Sequence, residues 1–178
     1  MFIVAVMGGK NSGKTRTAST LIKGLTSKGF RVASVKHIHH SFTMDTVGKD
    51  TWKMRESGAV MVSSISPNEV AILKTPEDAE RELDRIIRLY KEEKVDIVVA
   101  EGFLDVLGRR SDVFKILTVK KPEDLERFLN MFRPDVMVAD GDIAGMVHDI
   151  PVIKMEDVGG DLVEMVAERA NSRGGRGC

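Results

Sequence analysis

The residues best suited to chemistry occupy positions 8–15, which read Gly-Gly-Lys-Asn-Ser-Gly-Lys-Thr and fit the pattern G-x-x-x-x-G-K-[ST]. Gly8 and Gly13 allow the backbone to turn sharply and to approach a phosphate without an intervening Cβ. The loop N–H groups and the positive end of the following helix then face the anion. Lys14 is expected to reach the β- and γ-phosphates, and the Thr15 hydroxyl is expected to ligate Mg²⁺.

The flanking sequence gives this loop the strand-loop-helix setting that the motif requires. Residues 1–7 form a short apolar run typical of a buried parallel strand, and Ala18, Leu21 and Leu25 follow at helical spacing. The alternative is a glycine-rich turn with Lys14 on the surface, and a solvated loop position also explains Lys10 and Ser12. The predicted nucleotide site comprises Gly8, Gly9, Lys10, Asn11, Ser12, Gly13, Lys14, Thr15 and Arg16.

An acid ends a second apolar run, at residues 96–101. Glu101 follows four apolar residues, which is where phosphate-loop proteins place the carboxylate that holds Mg²⁺ or its water. The sequence therefore predicts Lys14 and Glu101 as the catalytic pair and Thr15 and Glu101 as the metal ligands. The alternative role for Glu101 is to cap the next turn.

Polar residues are dense between positions 36 and 58. Lys36, His37 and His39 follow a predicted strand and are candidates for binding an anion or a metal, although a pH-sensitive loop and an ordinary polar loop are equally compatible. Asp45 and Asp50 are candidates for contacting metal or water, and Lys49 and Arg55 for contacting phosphate. Arg109 and Arg110 offer two further cations, or an ordinary solvated turn.

The elements that must position these residues alternate between strands and helices, which indicates a three-layer α/β/α fold of the P-loop NTPase type with a mainly parallel central sheet. Residues 59–65 and 69–74, separated by a Ser-Pro-Asn turn, predict an inserted β-hairpin. Helices are expected from Thr75 to about residue 93, from residue 122 to about 131, and from residue 161 to 170. We expect one domain over residues 1–170 and a disordered Gly/Arg-rich tail over 171–178, whose removal after Ala170 leaves the melting temperature unchanged.

Composition narrows the function classes. The 178 residues carry no formal net charge, so no global field attracts the chain to nucleic acid or to a lipid surface. No apolar stretch approaches the ~20 residues needed to cross a bilayer. Cys178 is the single cysteine, which excludes an intramolecular disulfide and predicts a cytoplasmic protein.

The order and spacing of these motifs resemble one family. The phosphate loop, Val-Lys-His-Ile-His-His-Ser-Phe-Thr-Met-Asp at 35–45, Gly-Lys-Asp-Thr-Trp at 48–52, and Glu-Gly-Phe at 101–103 are similar to the molybdopterin-guanine dinucleotide biosynthesis protein B family. The resemblance implies a homodimeric, Mg²⁺-dependent GTP-binding protein with weak GTPase activity. Such a protein would assist the guanylyltransferase that joins GMP to molybdopterin, with molybdopterin as a further candidate ligand.

The resemblance also carries residues over to this chain. The family's nucleotide-binding loop corresponds to Gly8, Gly13, Lys14 and Thr15, and its metal-binding acid corresponds to Glu101. Motif positions of the family that have no defined role correspond to His37, His39, Asp45, Lys49 and Asp50. The chain departs from many GTP-binding proteins because it lacks an N-K-x-D guanine-reading motif, and Asp140 is our candidate for that contact, with residues 118–121 as the alternative.

Two other functions fit the same loop. One is a small-molecule kinase, in which Asp45 or Asp50 serves as general base and Arg109 and Arg110 contact the phosphoryl group. The other is a non-catalytic module that binds a partner and uses nucleotide only as a structural ligand.

Overall fold

Strand β1 (Phe2–Gly8) lies inside a six-stranded sheet, as its continuous apolar sequence predicts. The other five strands are β2 (Val32–Lys36), β5 (Ile97–Glu101), β6 (Val113–Val119), β7 (Val136–Ala139) and β8 (Val152–Ile153). The strand order is β2-β5-β1-β6-β7-β8, and every pairing in this sheet of the described chain is parallel, which confirms the predicted mainly parallel sheet.

The computed structural model describes residues 1–139, 143, 146, 147 and 149–174. The chain forms two compact units, the first made of Met1–His37 with Ile86–Cys178 and the second of Ile38–Arg85. The assignment of 1–170 to a single domain stays a prediction. None of the helices in the described part is long and apolar enough to cross a bilayer.

The sheet of the first unit is covered on both faces. Alternate residues of β1 (Phe2, Val4 and Val6) share a buried cluster with the apolar stripes of helices α1 (Lys14–Ser27) and α6 (Asp161–Gly174). The intervening residues of β1 point to the opposite face and are also buried. Two shorter helices, α4 (Leu104–Leu107) and α5 (Pro122–Leu129), contribute buried leucine and phenylalanine side chains.

The second unit contains the predicted hairpin. Strands β3 (Met61–Ile65) and β4 (Val70–Lys74) pair antiparallel. The Ser66 hydroxyl oxygen closes the turn between them by accepting hydrogen bonds from the backbone N–H groups of Asn68 and Glu69. The polar segment before the hairpin, residues 37–58, is expected from its sequence to be irregular because it shows no apolar period, but it contains helix α2 (Asp50–Glu56). This helix is too short to show an apolar period, which is why the sequence pattern misses it.

Two predicted helix ends are wrong. Helix α3 (Ala79–Glu92) begins after Asp78, whose carboxylate accepts a hydrogen bond from the Arg81 N–H at 2.9 Å, so Asp78 acts as the cap in place of Thr75. Helix α6 continues past Ala170 to Gly174, because the Arg173 guanidinium donates to the Asp112 carbonyl oxygen and lies over the Phe2 ring. Residues 171–174 are therefore helical rather than an unstructured tail, and removing them deletes these contacts. Residues 175–178 lie outside the described part.

Candidate functional site

The predicted phosphate loop connects β1 to α1 at the carboxyl edge of the sheet. Gly8 and Gly13 have φ of 148° and 95°, and Asn11 between them has φ of 60°. A Cβ on Gly8 would collide with the carbonyl oxygen and the hydroxyl of Thr118 on the neighbouring strand. The backbone conformation thus requires glycine at position 8, and α1 begins directly behind the loop with its N–H groups facing it.

Lys14 lies across this loop. Its ammonium donates hydrogen bonds to the carbonyl oxygens of Gly8 at 3.0 Å and Gly9 at 2.5 Å. Partial burial lowers the pKa of Lys14 below the ordinary 10.5; the Glu101 carboxylate opposes this shift, and the charge of Lys36 adds to it. The ammonium is therefore held on the loop backbone, next to the N-terminal end of α1, and the N-terminal end of a helix favours an anion.

Thr15 and Glu101 meet, as the sequence predicts. The Thr15 hydroxyl lies 2.9 and 3.0 Å from the two Glu101 carboxylate oxygens, to which it donates. Strand register explains the meeting, because Val6 of β1 pairs with Glu101 of β5, and the loop then carries the chain to Thr15. The Glu101 side chain is only 12% exposed, so its carboxylate faces the loop rather than bulk water.

Lys36 joins this pair, a relationship that the sequence pattern misses. Its ammonium lies 3.0 Å from a Glu101 carboxylate oxygen and donates to the Thr15 hydroxyl at 3.3 Å. Lys36 is the last residue of β2 and pairs in register with Glu101, so the order of strands would have revealed the contact. The sequence alone suggests Lys36 only as a candidate for binding an anion or a metal, because it does not show that β2 and β5 are neighbours.

The Ser12 side chain stabilises the phosphate loop through buried hydrogen bonds. Its hydroxyl donates to the Gly9 carbonyl oxygen at 2.8 Å and lies 2.7 Å from the Thr118 hydroxyl, which also bonds to the Met7 carbonyl oxygen. Ser12 is 5% exposed, so describing it as a solvated loop residue is wrong. Lys10, Asn11 and Arg16, by contrast, are exposed, and their role as ligands stays a prediction.

His37 packs at the end of β5. Its ring stacks on Phe103 with centroids 4.9 Å apart and planes 19° from parallel, and its backbone N–H donates to the Glu101 carbonyl oxygen at 2.9 Å. Gly102, which lies between Glu101 and Phe103 in the chain, has φ of 88°, and a Cβ on Gly102 would lie 3.2 Å from the His37 Cβ. His37 thus anchors the backbone beside Glu101.

The remaining motif residues belong to the second unit. The Asp45 carboxylate accepts hydrogen bonds from the Thr51 hydroxyl at 2.8 Å and the Thr46 N–H at 3.0 Å, and it lies 3.5 Å from the Arg55 guanidinium. With its side chain 4% exposed, Asp45 organises the start of α2. Three further predicted residues are exposed, and their nucleotide-binding role stays a prediction: His39, Lys49 and Asp50.

These contacts bear on the alternatives. Asp45 and Arg110 are candidate groups for a kinase, but Asp45 is committed to Thr51 and Arg55, and Arg110 forms an ion pair with Asp112 at 2.7 Å. Among residues 1–139, 143, 146, 147 and 149–174, no group of three His, Cys, Asp or Glu side chains is placed to hold a metal ion. Asp140, the candidate for reading guanine, lies outside the described residues.

Known proteins resemble this chain in sequence. The family model described as molybdopterin guanine dinucleotide synthesis protein B matches residues 3–139. The chain is 26% identical to the molybdopterin-guanine dinucleotide biosynthesis adapter protein of Escherichia coli (strain K12), over 97% of this chain and 95% of that protein. It is 33% identical to the adapter protein of the same name from Haemophilus influenzae, over 57% of this chain and 56% of that protein.

Solved structures agree on the fold. The crystal structure of Bacillus subtilis MobB has a TM-score of 0.73 at 22% identity, covering 95% of this chain and 98% of that chain. The MobB homolog from Bacillus stearothermophilus has a TM-score of 0.71 at 19% identity, covering 97% and 99%. Since the family model covers most of the sequence, including the phosphate loop and Glu101, the chain belongs to the molybdopterin guanine dinucleotide synthesis protein B family.

Proposed function

We propose that the protein binds GTP with Mg²⁺ at the loop of residues 8–15 and acts as an adaptor to the guanylyltransferase that attaches GMP to molybdopterin. The observation that carries this proposal is the convergence of Lys14, Thr15 and Glu101 around a loop that only glycine can form at position 8. These are the groups that phosphate and a hard divalent cation need: backbone N–H donors, an ammonium, a hydroxyl and a carboxylate.

The residues present fit both ligands. A side chain on Gly8 would collide with Thr118, so the loop backbone stays uncovered, and Lys14 has donors to give to phosphate oxygens in place of the loop carbonyls. Thr15 and Glu101 would hold Mg²⁺, Glu101 directly or through a water. When bound, Mg²⁺ would neutralise charge on the β- and γ-phosphate oxygens.

Slow hydrolysis is part of the proposal. Both carboxylate oxygens of Glu101 accept from the Thr15 hydroxyl, and one of them also contacts the Lys36 ammonium. The carboxylate is therefore already engaged by groups of the protein rather than directed at a water that would attack the γ-phosphate. We therefore propose that GTP is held and presented to a partner rather than rapidly consumed.

The adaptor role draws on the relatives, two of which carry the name molybdopterin-guanine dinucleotide biosynthesis adapter protein. The hairpin of the second unit supports a protein partner, because Ile65, Val70 and Ile72 leave 57–83% of their surface exposed. We propose that the protein works as a homodimer in the cytoplasm, with molybdopterin as a candidate further ligand and Asp140 as the candidate guanine contact.

Reconstitution of the transfer reaction tests this proposal. Purified guanylyltransferase, molybdopterin, Mg²⁺ and limiting GTP are combined with the wild-type protein or with Lys14→Ala, and the dinucleotide product is quantified. We expect the wild type to raise the yield at low GTP and Lys14→Ala to fail to do so. Equal yields with and without the wild-type protein would contradict the adaptor role.

A further inference from the structure

We propose that Lys36 is a positioning residue that competes with the divalent cation for Thr15 and Glu101, and so sets the Mg²⁺ concentration at which nucleotide binds. The inference rests on the proposed function, because it concerns the cation that accompanies the nucleotide. Lys36 then has a role separate from that of Lys14 in the loop.

The placement of Lys36 follows from the sheet. Lys36 and Glu101 are register partners on the neighbouring parallel strands β2 and β5, so their side chains leave the same face of the sheet side by side. The pairing is continuous along both strands, from Val32 with Ile97 to Lys36 with Glu101. The face is the one that α1 covers, so both side chains meet Thr15 in the first turn of that helix.

The contacts of Lys36 are those that a metal would need. One ammonium contacts both a Glu101 carboxylate oxygen at 3.0 Å and the Thr15 hydroxyl oxygen at 3.3 Å. Lys36 occupies one of the two lone pairs of the Thr15 oxygen, and an ammonium so close to a bound dication is repelled by it. Occupation of the two oxygens by Mg²⁺ and by Lys36 is therefore mutually unfavourable.

The Lys36 side chain can also move away from Thr15 and Glu101. Its side chain is 51% exposed and carries its charge on a flexible four-carbon stem, whereas the Glu101 side chain is 12% exposed. The backbone beside it is fixed, because the His37 N–H donates to the Glu101 carbonyl oxygen at 2.9 Å. The side chain can thus turn away while β2 stays paired with β5.

Lys14 differs in this respect. Its ammonium contacts the carbonyl oxygens of Gly8 and Gly9, not the pair that would hold the metal. Loss of Lys14 should therefore weaken phosphate binding at every Mg²⁺ concentration. Loss of Lys36 should instead change how much Mg²⁺ is needed.

The test is a Mg²⁺ titration of GTP binding by the full chain, carried out for the wild type, Lys36→Met, Lys36→Arg and Lys23→Met. Lys23→Met removes the same charge from an exposed position on α1, about 12 Å further along the helix than Thr15. Circular dichroism melting establishes that each variant is folded. The quantity compared is the Mg²⁺ concentration at half-maximal GTP binding.

We expect Lys36→Met to lower this midpoint about two- to fivefold, the range expected for loss of a partly exposed ion pair. Lys36→Arg, which keeps the cation, and Lys23→Met should stay near the wild type. An unchanged or raised midpoint in folded Lys36→Met, with the wild type binding GTP, would overturn the role of Lys36 alone. A wild-type protein that binds no GTP even at saturating Mg²⁺ would overturn the proposed function, and this inference with it.

Discussion

The Thr15 hydroxyl donates to both carboxylate oxygens of Glu101, at 2.9 and 3.0 Å, across 86 residues of sequence. This contact joins the first turn of α1 to the end of β5 at the carboxyl edge of the parallel sheet. Ligands of such sheets gather at that edge, so the two oxygen donors lie where a nucleotide and its metal are expected. Each part of this arrangement should make a separate, measurable contribution.

Replacing Glu101 by Gln should separate metal binding from nucleotide binding. The amide keeps the shape of the side chain but loses the negative charge that would hold Mg²⁺, so we expect GTP affinity without Mg²⁺ to be retained while its enhancement by Mg²⁺ and any slow hydrolysis decline. Calorimetry with and without Mg²⁺ measures the first effect, and phosphate release measures the second. Glu168→Gln, at an exposed position on α6, is the control. A Glu101→Gln protein with an unaltered Mg²⁺ response would remove Glu101 from the site.

Gly8→Ala should destabilise the fold as well as the site. The added methyl group would collide with Thr118, and the alanine would have to adopt the Gly8 φ of 148°. Together these effects should lower the free energy of unfolding by about 3 kcal/mol or more. Gly29→Ala is the matched control, because Gly29 also has positive φ, of 85°, but nothing lies within 4 Å of its missing Cβ. We expect that change to cost about 1 kcal/mol. Urea denaturation measures both, and equal losses would show that the Thr118 contact is unimportant.

Asp45→Ala should loosen the start of α2. It removes the acceptor of the Thr51 and Thr46 hydrogen bonds and leaves Arg55 without its acidic partner, at a cost of about 2 kcal/mol. The Asp50 side chain is 89% exposed, so Asp50→Ala should change stability by less than ~0.5 kcal/mol. Amide hydrogen exchange across α2 distinguishes the two variants. Unchanged exchange in Asp45→Ala would contradict this structural role, and the predicted role of Asp45 in binding nucleotide stays a prediction in either case.

The protonation of Lys14 provides a test that requires no nucleotide. Burial lowers its pKa below 10.5, so the unfolded chain holds this proton through a pH range in which the folded chain has lost it. Stability contributed by this group therefore rises with pH between the folded pKa and 10.5. Because Glu101 raises the Lys14 pKa and Lys36 lowers it, Glu101→Gln should lower it further and Lys36→Met should raise it. Nuclear magnetic resonance of the Lys14 side chain measures each value, and a wild-type pKa at or above 10.5 would contradict the burial.

The sequence predicts what depends on local pattern. The phosphate loop, the apolar strands and the hairpin turn each carry a signal within a few residues, and all appear at the expected positions. Glu101 is predicted as a residue of the site because it is the acid that ends an apolar strand. The contact between Lys36 and Glu101 is not predicted, because no local pattern indicates which strands are neighbours in the sheet. The hydrogen bond between the Ser12 and Thr118 hydroxyls is missed for the same reason.

Helix ends are predicted less well, for a physical reason. Asp78 and Thr75 both have capping side chains, and only the hydrogen bond to Arg81 decides between them. The last turn of α6 reads Asn-Ser-Arg-Gly, in which asparagine and glycine have poor helix propensity, but tertiary contacts of Arg173 with Asp112 and Phe2 stabilise it. Such contacts join distant residues and cannot be read from a window of sequence.

The most direct test of the central claim is calorimetric titration of the purified protein with GTP and with ATP in the presence of Mg²⁺, with Lys14→Ala as the matched variant. We predict saturable binding with a clear preference for GTP, and at least about tenfold weaker binding by Lys14→Ala, because charge-assisted hydrogen bonds to the phosphates are lost. Equal affinity for ATP would contradict guanine recognition. Binding by Lys14→Ala as tight as that of the wild type would contradict the assignment of the loop.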